Sequence, residues 1–212
     1  MRPMVDSDFY SAKFYPRSVG DSGKFRQRIT RSKFALLRSG MDLRPNIKLL
    51  DIGCDAGALL RMFEAVGADC YGIDIGADAV ARANHPGVLR GSVQALPFRE
   101  GHFDVCISSH VIEHLERPDL LVREAATVLK PGGTLALLYP WEMFHGMTVI
   151  PDLVASGQFP LPSRLRRIHR HVITPDKVRT YAQGCGLREE KAGVFWGFPY
   201  VVPQYFCFMR KL

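Results

Sequence analysis

Apolar residues in this chain fall into short unbroken runs separated by stretches with helical spacing. Ile47–Ile52, Asp69–Ile75, Phe103–Ser108 and Thr134–Tyr139 are such runs, the pattern of parallel strands covered on both faces. A shorter strand falls within Gly87–Val93. Between them Ala58–Val66, Ala77–Ala83 and Pro118–Leu129 have the composition and spacing of helices, stopped by Gly67, His85-Pro86 and Lys130-Pro131-Gly132-Gly133. Further on, Thr174 is a good N-cap with Pro175 at the first helical position, and that helix runs to Gln183. Leu187–Phe195 and Val201–Met209 predict two closing strands joined through Gly197-Phe198-Pro199. Alternation of strand and helix implies a doubly wound α/β sheet with right-handed crossovers.

Two segments break this rhythm. Residues 1–23 read as an arm bearing Phe9, Tyr10, Phe14 and Tyr15, and Lys24 to Gly40 as an amphipathic cap helix. Trp141 to Val172 carries Gly146, Pro151, Gly157, Pro160 and Pro162, and so long an excursion between sheet elements is read as a lid or substrate-binding insert. The expected division is therefore 1–44 for arm and cap helix and 45–212 for the main domain, with the insert at 141–172.

At 212 residues the chain suits one α/β domain with a substantial core. No apolar run reaches the ~20 residues of a membrane span, and Met1 to Tyr15 has no signal-like apolar core, so a cytoplasmic location is expected. Five cysteines stand singly, without a CxxC pair, as reduced thiols would. The net charge of +7 is uneven. Residues 1–44 hold ten Lys/Arg against four Asp/Glu, residues 45–140 eight against twelve, and residues 141–212 ten against five. Basic flanks around an acidic centre suit an anionic substrate, a nucleic acid or an acidic membrane surface, or serve only solubility.

The chemistry concentrates in Lys48-Leu49-Leu50-Asp51-Ile52-Gly53-Cys54-Asp55-Ala56-Gly57 and in Asp74, at the end of Tyr71-Gly72-Ile73-Asp74-Ile75. A strand entering a glycine-bearing turn lets backbone approach a ligand, and a carboxylate at the next strand end can accept both hydroxyls of a ribose. A nucleoside cofactor needs that pair. GxGxxG, the signature of nicotinamide binding, is missing: the frame from Gly53 reads Gly53, Asp55 and Ala58.

Taken with the segments Gly91-Ser92-Val93-Gln94-Ala95-Leu96-Pro97-Phe98, Phe103 through Leu115, and Leu129-Lys130-Pro131-Gly132-Gly133, the chain resembles class I S-adenosylmethionine-dependent methyltransferases of the small-molecule, type 11-like group over residues 45–140. The resemblance implies a Rossmann-like seven-stranded sheet with the last strand antiparallel. It implies S-adenosylmethionine as cofactor, held by Asp51, Gly53, Cys54, Gly57, Asp74, Ile75, Ser92, Val93, Gln94, Ser108 and Ser109. In this reading Asp51 holds the turn by accepting backbone N–H groups, Gly53 is bare for the cofactor, and Gly57 allows close helix–sheet contact. Asp55 departs from the family, which commonly has glycine there; Asp tolerates the left-handed region, but its charge sits close to the cofactor.

His110 and His145 are the candidate catalytic residues, as base or substrate orienter. Tyr15, Trp141, Phe144, Arg167 and His171 are the candidate acceptor contacts, with His169 a further possible anion contact. His110 and His114 are four apart, but Glu113 is misplaced for HExxH, so no metal is expected. The expected activity is methyl transfer to O, N or C of a small, possibly anionic acceptor. The alternative is a non-catalytic methyltransferase-like subunit or nucleic-acid-binding module. Nucleic-acid methylation is disfavoured because Ser108-Ser109-His110-Val111 is not an aromatic-proline motif.

Overall fold

Seven strands form one sheet in the order β3-β2-β1-β4-β5-β7-β6. They are β1 (Lys48–Ile52), β2 (Asp69–Asp74), β3 (Val88–Arg90), β4 (Phe103–Ser109), β5 (Leu129–Pro140), β6 (Leu187–Phe195) and β7 (Gln204–Lys211). The computed structural model describes residues 23–155, 157, 159–196 and 203–212. Tyr15, the rest of the N-terminal arm and the expected turn at Gly197-Phe198-Pro199 lie outside the described residues. Strands β1 to β5 pair in parallel, while β7 lies antiparallel to both β5 and β6. The expected sheet is the observed one.

Alternate residues of each parallel strand face opposite sides, and both sides are covered. On β1, Leu50 and Ile52 join a cluster with Leu121, Val122 and Ala125 of α4 (Pro118–Val128) and Val178 of α7 (Pro175–Ala182). Leu49 points the other way, to Leu37 of α1 (Gly23–Ser39) and Leu60 and Phe63 of α2 (Ala58–Glu64). α3 (Ala77–Ala83) follows β2, and its Ala83 belongs to that second cluster.

One local outcome differs from the sequence expectation, and two segments are defined more closely than it defined them. Lys130-Pro131-Gly132-Gly133 does not separate helix from strand: β5 begins at Leu129 and carries these residues as an irregularity opposite Phe103 to Val105. Gly132 at φ 75° makes the detour, and Lys130 Nζ closes it 2.8 Å from both carboxylate oxygens of Asp104. The last strand is described from Gln204 to Lys211, and Val201 and Val202 of its expected span lie outside the described residues. The insert is largely helical, with a 3-10 turn at Met147–Val149, α5 (Ile150–Ala155) and α6 (Pro162–Ile168). It has its own small core of Leu153, Leu165 and Ile168.

β1 leads through α2 to β2 on one side, while β4 lies on its other side, so strand order reverses between β1 and β4. Ligands of open α/β sheets bind outside the carboxyl ends of strands at such a reversal. That places the site beyond Ile52, Asp74 and Ser109. The central strands must stay packed to hold it. Leu50→Ala, at a fully buried position, is expected to lower unfolding free energy in urea by about 2–5 kcal/mol. Leu212→Ala, 68% exposed, should change it by no more than about 0.5 kcal/mol.

Candidate active site

The turn after β1 is held from β2. Ile73 O accepts the N–H groups of Gly53 (2.8 Å) and Cys54 (3.2 Å), and Cys54 O accepts that of Gly57 (2.9 Å). Asp74 completes the clasp: Oδ2 accepts the Asp55 N–H at 2.9 Å and Oδ1 the Gly76 N–H at 2.8 Å. Among the described residues no hydrogen bond reaches the Asp51 carboxylate, so it is Asp74, not Asp51, that holds the turn. Gly53 (φ 82°), Asp55 (φ 44°) and Gly57 (φ 70°) are left-handed, as the turn demands.

The reason for each glycine differs from the sequence reading. A Cβ on Gly53 would overlap Val111 Cγ2, so a side chain of this protein covers that spot. At Gly57 a Cβ would find ordinary contacts from 3.5 Å outward, and the positive φ is what requires glycine. The charge of Asp55 turns outward to Arg82, 3.1 Å away, with both side chains more than half exposed.

Asp51 is 2% exposed. Burial, together with the neighbouring Asp74 and Asp55 charges, pushes its carboxyl up to about 7, against the pull of Lys33. Burial also raises Asp74, opposed by its backbone N–H bonds. Lys33, half-buried on α1, is lowered to about 8 by burial, with Glu113 and Asp51 acting in the other direction. A lysine set against the Asp51 and Glu113 carboxylates was not among the residues singled out by sequence. Its signal was a cation next to Phe34, within one turn of buried Leu37.

The remaining candidates divide between support and access. Val93 and Cys54 are buried, and the Cys54 backbone is engaged within the turn; Ile75 is half-buried and its carbonyl accepts Arg90 Nε at 3.2 Å. Ser92 Oγ accepts the Gln94 N–H at 3.2 Å, and Gln94 Oε1 that of Arg117 at 3.1 Å, so both shape the loop before α4. Ser108 donates to Ile52 O at 3.1 Å, tying β4 to β1. Ser109 Oγ is buried without a hydrogen-bond partner among the described residues.

His110 ends β4 at φ 57°, with Nε2 2.9 Å from Gln204 Oε1 and Nδ1 3.4 Å from Glu113 Oε1. His145 and Trp141 are half-buried at the start of the insert, and Phe144 is 50% exposed beside them. Arg167 is exposed on α6, and the His171 N–H donates to Glu113 O at 3.2 Å. Thus His110, Ser109, Asp51 and Asp74 gather at one sheet edge, while Arg167 lies on the outer insert.

His169 is not a surface contact for anions. It is buried, with Nδ1 2.8 Å from Glu142 Oε1. Glu142 also accepts the N–H groups of Gly146 (3.3 Å) and Thr148 (3.0 Å) and the Thr148 hydroxyl (2.7 Å). Burial would raise that carboxyl, but these partners hold it below its ordinary value. Glu142 thereby folds the insert, a role that a lone Glu after Trp141 does not signal in sequence.

A Methyltransferase domain model matches residues 50–137. The chain is 30% identical over 179 residues to a ubiquinone biosynthesis O-methyltransferase of Nitrobacter winogradskyi, covering 78% of this chain and 67% of that one. A Bordetella avium protein of the same name is 27% identical over 155 residues, covering 66% of this chain and 61% of its own. Among solved structures, magnesium protoporphyrin IX methyltransferase from Synechocystis with bound S-adenosylhomocysteine superposes at TM-score 0.69 and 20% identity, covering 97% and 98% of the two chains. An S-adenosylmethionine-dependent methyltransferase from Mesorhizobium loti does so at 0.67 and 17%, covering 84% and 97%. The strand order and the reversal beside β1 define a doubly wound nucleoside-binding architecture. The chain belongs to the class I S-adenosylmethionine-dependent methyltransferases, with S-adenosylmethionine as cofactor. No described helix is long and apolar enough to cross a membrane.

Two outcomes test this geometry. Gly53→Ala should cost about 2–4 kcal/mol, from the positive φ plus the overlap with Val111, and Val111→Ala in the same chain should restore part of it. Equal losses in single and double variants, read by urea denaturation, would contradict the packing account. For Asp51, a folded pKa near 7 against 3.8 means that stability falls as pH rises from about 4 to about 7. Asp51→Asn should therefore be more stable than the parent at pH 8, by at most about 4 kcal/mol, and the two should converge near pH 4.

Proposed function

We propose that this chain transfers the methyl group of S-adenosylmethionine to an oxygen of a small-molecule acceptor. The observation that carries this reading is the pair of carboxylates, Asp51 and Asp74, at the carboxyl ends of adjacent strands β1 and β2. The O-methyltransferase names of the two curated relatives favour oxygen over nitrogen or carbon.

Each oxygen of Asp74 accepts one backbone N–H and keeps a second lone pair, enough for the two hydroxyls of a ribose. Asp51 is available for an ammonium group and Lys33 for a carboxylate, so the two ends of an amino acid find opposite charges. The buried hydroxyl of Ser109 supplies a further polar contact. Bound there, S-adenosylmethionine supplies an electrophilic methyl group.

His110 is the candidate to take the acceptor's proton, since Gln204 holds its ring through Nε2 and the residue follows β4 at the same edge. In this reading Trp141, Phe144, His145 and His171, on the insert that follows β5, supply the acceptor contacts. Tyr15 and Arg167 are carried forward as acceptor contacts from sequence. An apolar wall that excludes water and holds the acceptor in line is what such a transfer asks of the protein.

Calorimetric titration with S-adenosylhomocysteine tests the reading. The parent should bind it and should not bind nicotinamide dinucleotides. Asp74→Ala should lose about 1.5–3 kcal/mol, roughly 10- to 100-fold in affinity, for a lost charge-assisted contact. Unchanged affinity in a folded Asp74→Ala chain would remove Asp74 from the site.

A further inference from the structure

Where β5 ends, the insert leaves the sheet as a small unit, and what it shows to solvent is unlike the rest of the surface. Its own core takes in Leu153, Leu165 and Ile168, with Val149 and Ile150 packed against it. Left outside are Phe144, Val154 and Leu161, each about half exposed, and Met143 and Phe159, each 76% exposed. Half of the ten large apolar side chains exposed among the described residues thus fall within residues 143–161. Single exposed apolar residues need no explanation, whereas such a concentration marks an interaction surface. We propose that the outer face of the insert is the surface by which this chain rests on a bilayer containing anionic lipid.

The exposed residues belong to one piece. The Leu161 N–H donates to Phe159 O at 2.9 Å, and Leu161 O accepts the Leu165 N–H at 3.0 Å, so both lead directly into α6. Gly146 lies so close to α6 that a Cβ there would overlap Leu165, which brings the stretch from Met143 against the same helix. Val154 adjoins buried Leu153 on α5. Trp196, also exposed, stands at the sheet edge from which the insert departs. Phe195 pairs with Gln204, Gln204 pairs with Pro140, and the Trp141 N–H donates to Pro203 O at 3.1 Å.

Charge selects the partner. On α6 Leu165 and Ile168 turn inward, so Arg166 turns outward, and Arg170 is exposed just beyond the helix. The insert holds four arginines against Glu142 and Asp152, and Glu142 is buried against His169. In the strands and helix that follow, the arginines meet carboxylates: Arg179 with Asp176 and Glu189, and Arg188 and Arg210 with Glu190. The excess positive charge of the C-terminal part therefore sits beside its exposed apolar side chains. Apolar groups that enter the acyl boundary, next to arginines that reach lipid phosphates, compose an interfacial segment. Tryptophan at the same edge suits the headgroup level. A nucleic acid would engage the arginines but leave Met143, Val154 and Leu161 in water, and a second copy would set like charges against each other. With six and seven residues, α5 and α6 lie on a bilayer and do not cross it. This surface does not depend on which atom the acceptor offers.

The test sediments the full chain with sucrose-loaded vesicles of phosphatidylcholine, alone or mixed with phosphatidylglycerol. The parent should bind the mixed vesicles at least ~10-fold more tightly than phosphatidylcholine alone, and added salt should weaken that binding. Arg166→Glu with Arg170→Glu, and separately Phe159→Ser with Leu161→Ser, should each lower partitioning ~10-fold or more. Val66→Ser, at the opposite sheet edge before β2 begins, should bind as the parent does. In a Trp141→Phe chain Trp196 is the only tryptophan, and its emission should move to the blue on mixed vesicles. S-adenosylhomocysteine titration of the insert variants should give the parent's affinity, which separates a lost surface from a lost fold and from the reading of the cofactor pocket. A parent chain left in the supernatant by mixed vesicles would overturn the proposal, as would folded insert variants that partition like the parent. Self-association or RNA binding abolished by the same substitutions, without vesicle uptake, would overturn it in favour of a second copy or a nucleic acid.

Discussion

The carboxylate of Asp74 clasps two turns at once. One oxygen takes the Asp55 N–H from the turn after β1, and the other takes the Gly76 N–H at the head of α3. The Gly76 donor is buried, and leaving it unmet would cost more than an ordinary hydrogen bond contributes; the Asp55 donor is on an exposed residue, and its bond fixes the turn. The left-handed residues Gly53, Asp55 and Gly57 are tolerable only because this clasp and the Ile73 carbonyl hold them there. The same side chain therefore builds the crevice and faces into it, so a variant at Asp74 acts on both folding and binding.

Electrostatics at the crevice follow from crowding. Asp51, Asp74 and Asp55 lie close enough to raise Asp51 together with its burial, and Lys33 is the cation set against it. A site left with a carboxyl that titrates near 7 favours a ligand bringing positive charge. An amino-acid ammonium and a sulfonium meet that need. On the far side the insert is stitched inward by Glu142, by the Ile168 carbonyl on His114 and by the His171 N–H on Glu113. It docks against the turn that follows His110 and does not hang free.

Periodicity made the sheet legible: continuous apolar strands, helices ended by glycine, and Thr174 capping α7 through the Lys177 N–H all appear where the pattern put them. The motif residues converge as well, because Asp51, Asp74, Ser109 and His110 are each the end of a parallel strand. What sequence could not show were contacts made across the fold. Val111 filling the space over Gly53, Lys33 arriving from the cap helix, and His169 meeting Glu142 and His114 depend on packing between distant segments. Lys130-Pro131-Gly132-Gly133 misled because proline and glycine mark a turn, yet Asp104 and Lys130 keep the detour inside the β4–β5 ladder.

A crystal structure of the chain with S-adenosylhomocysteine addresses the central claim most directly. The account expects the nucleoside beyond the ends of β1 and β2, its ribose hydroxyls on the Asp74 carboxylate and its ammonium group facing Asp51. Density for the nucleoside anywhere else, or hydroxyls without contact to Asp74, would contradict it.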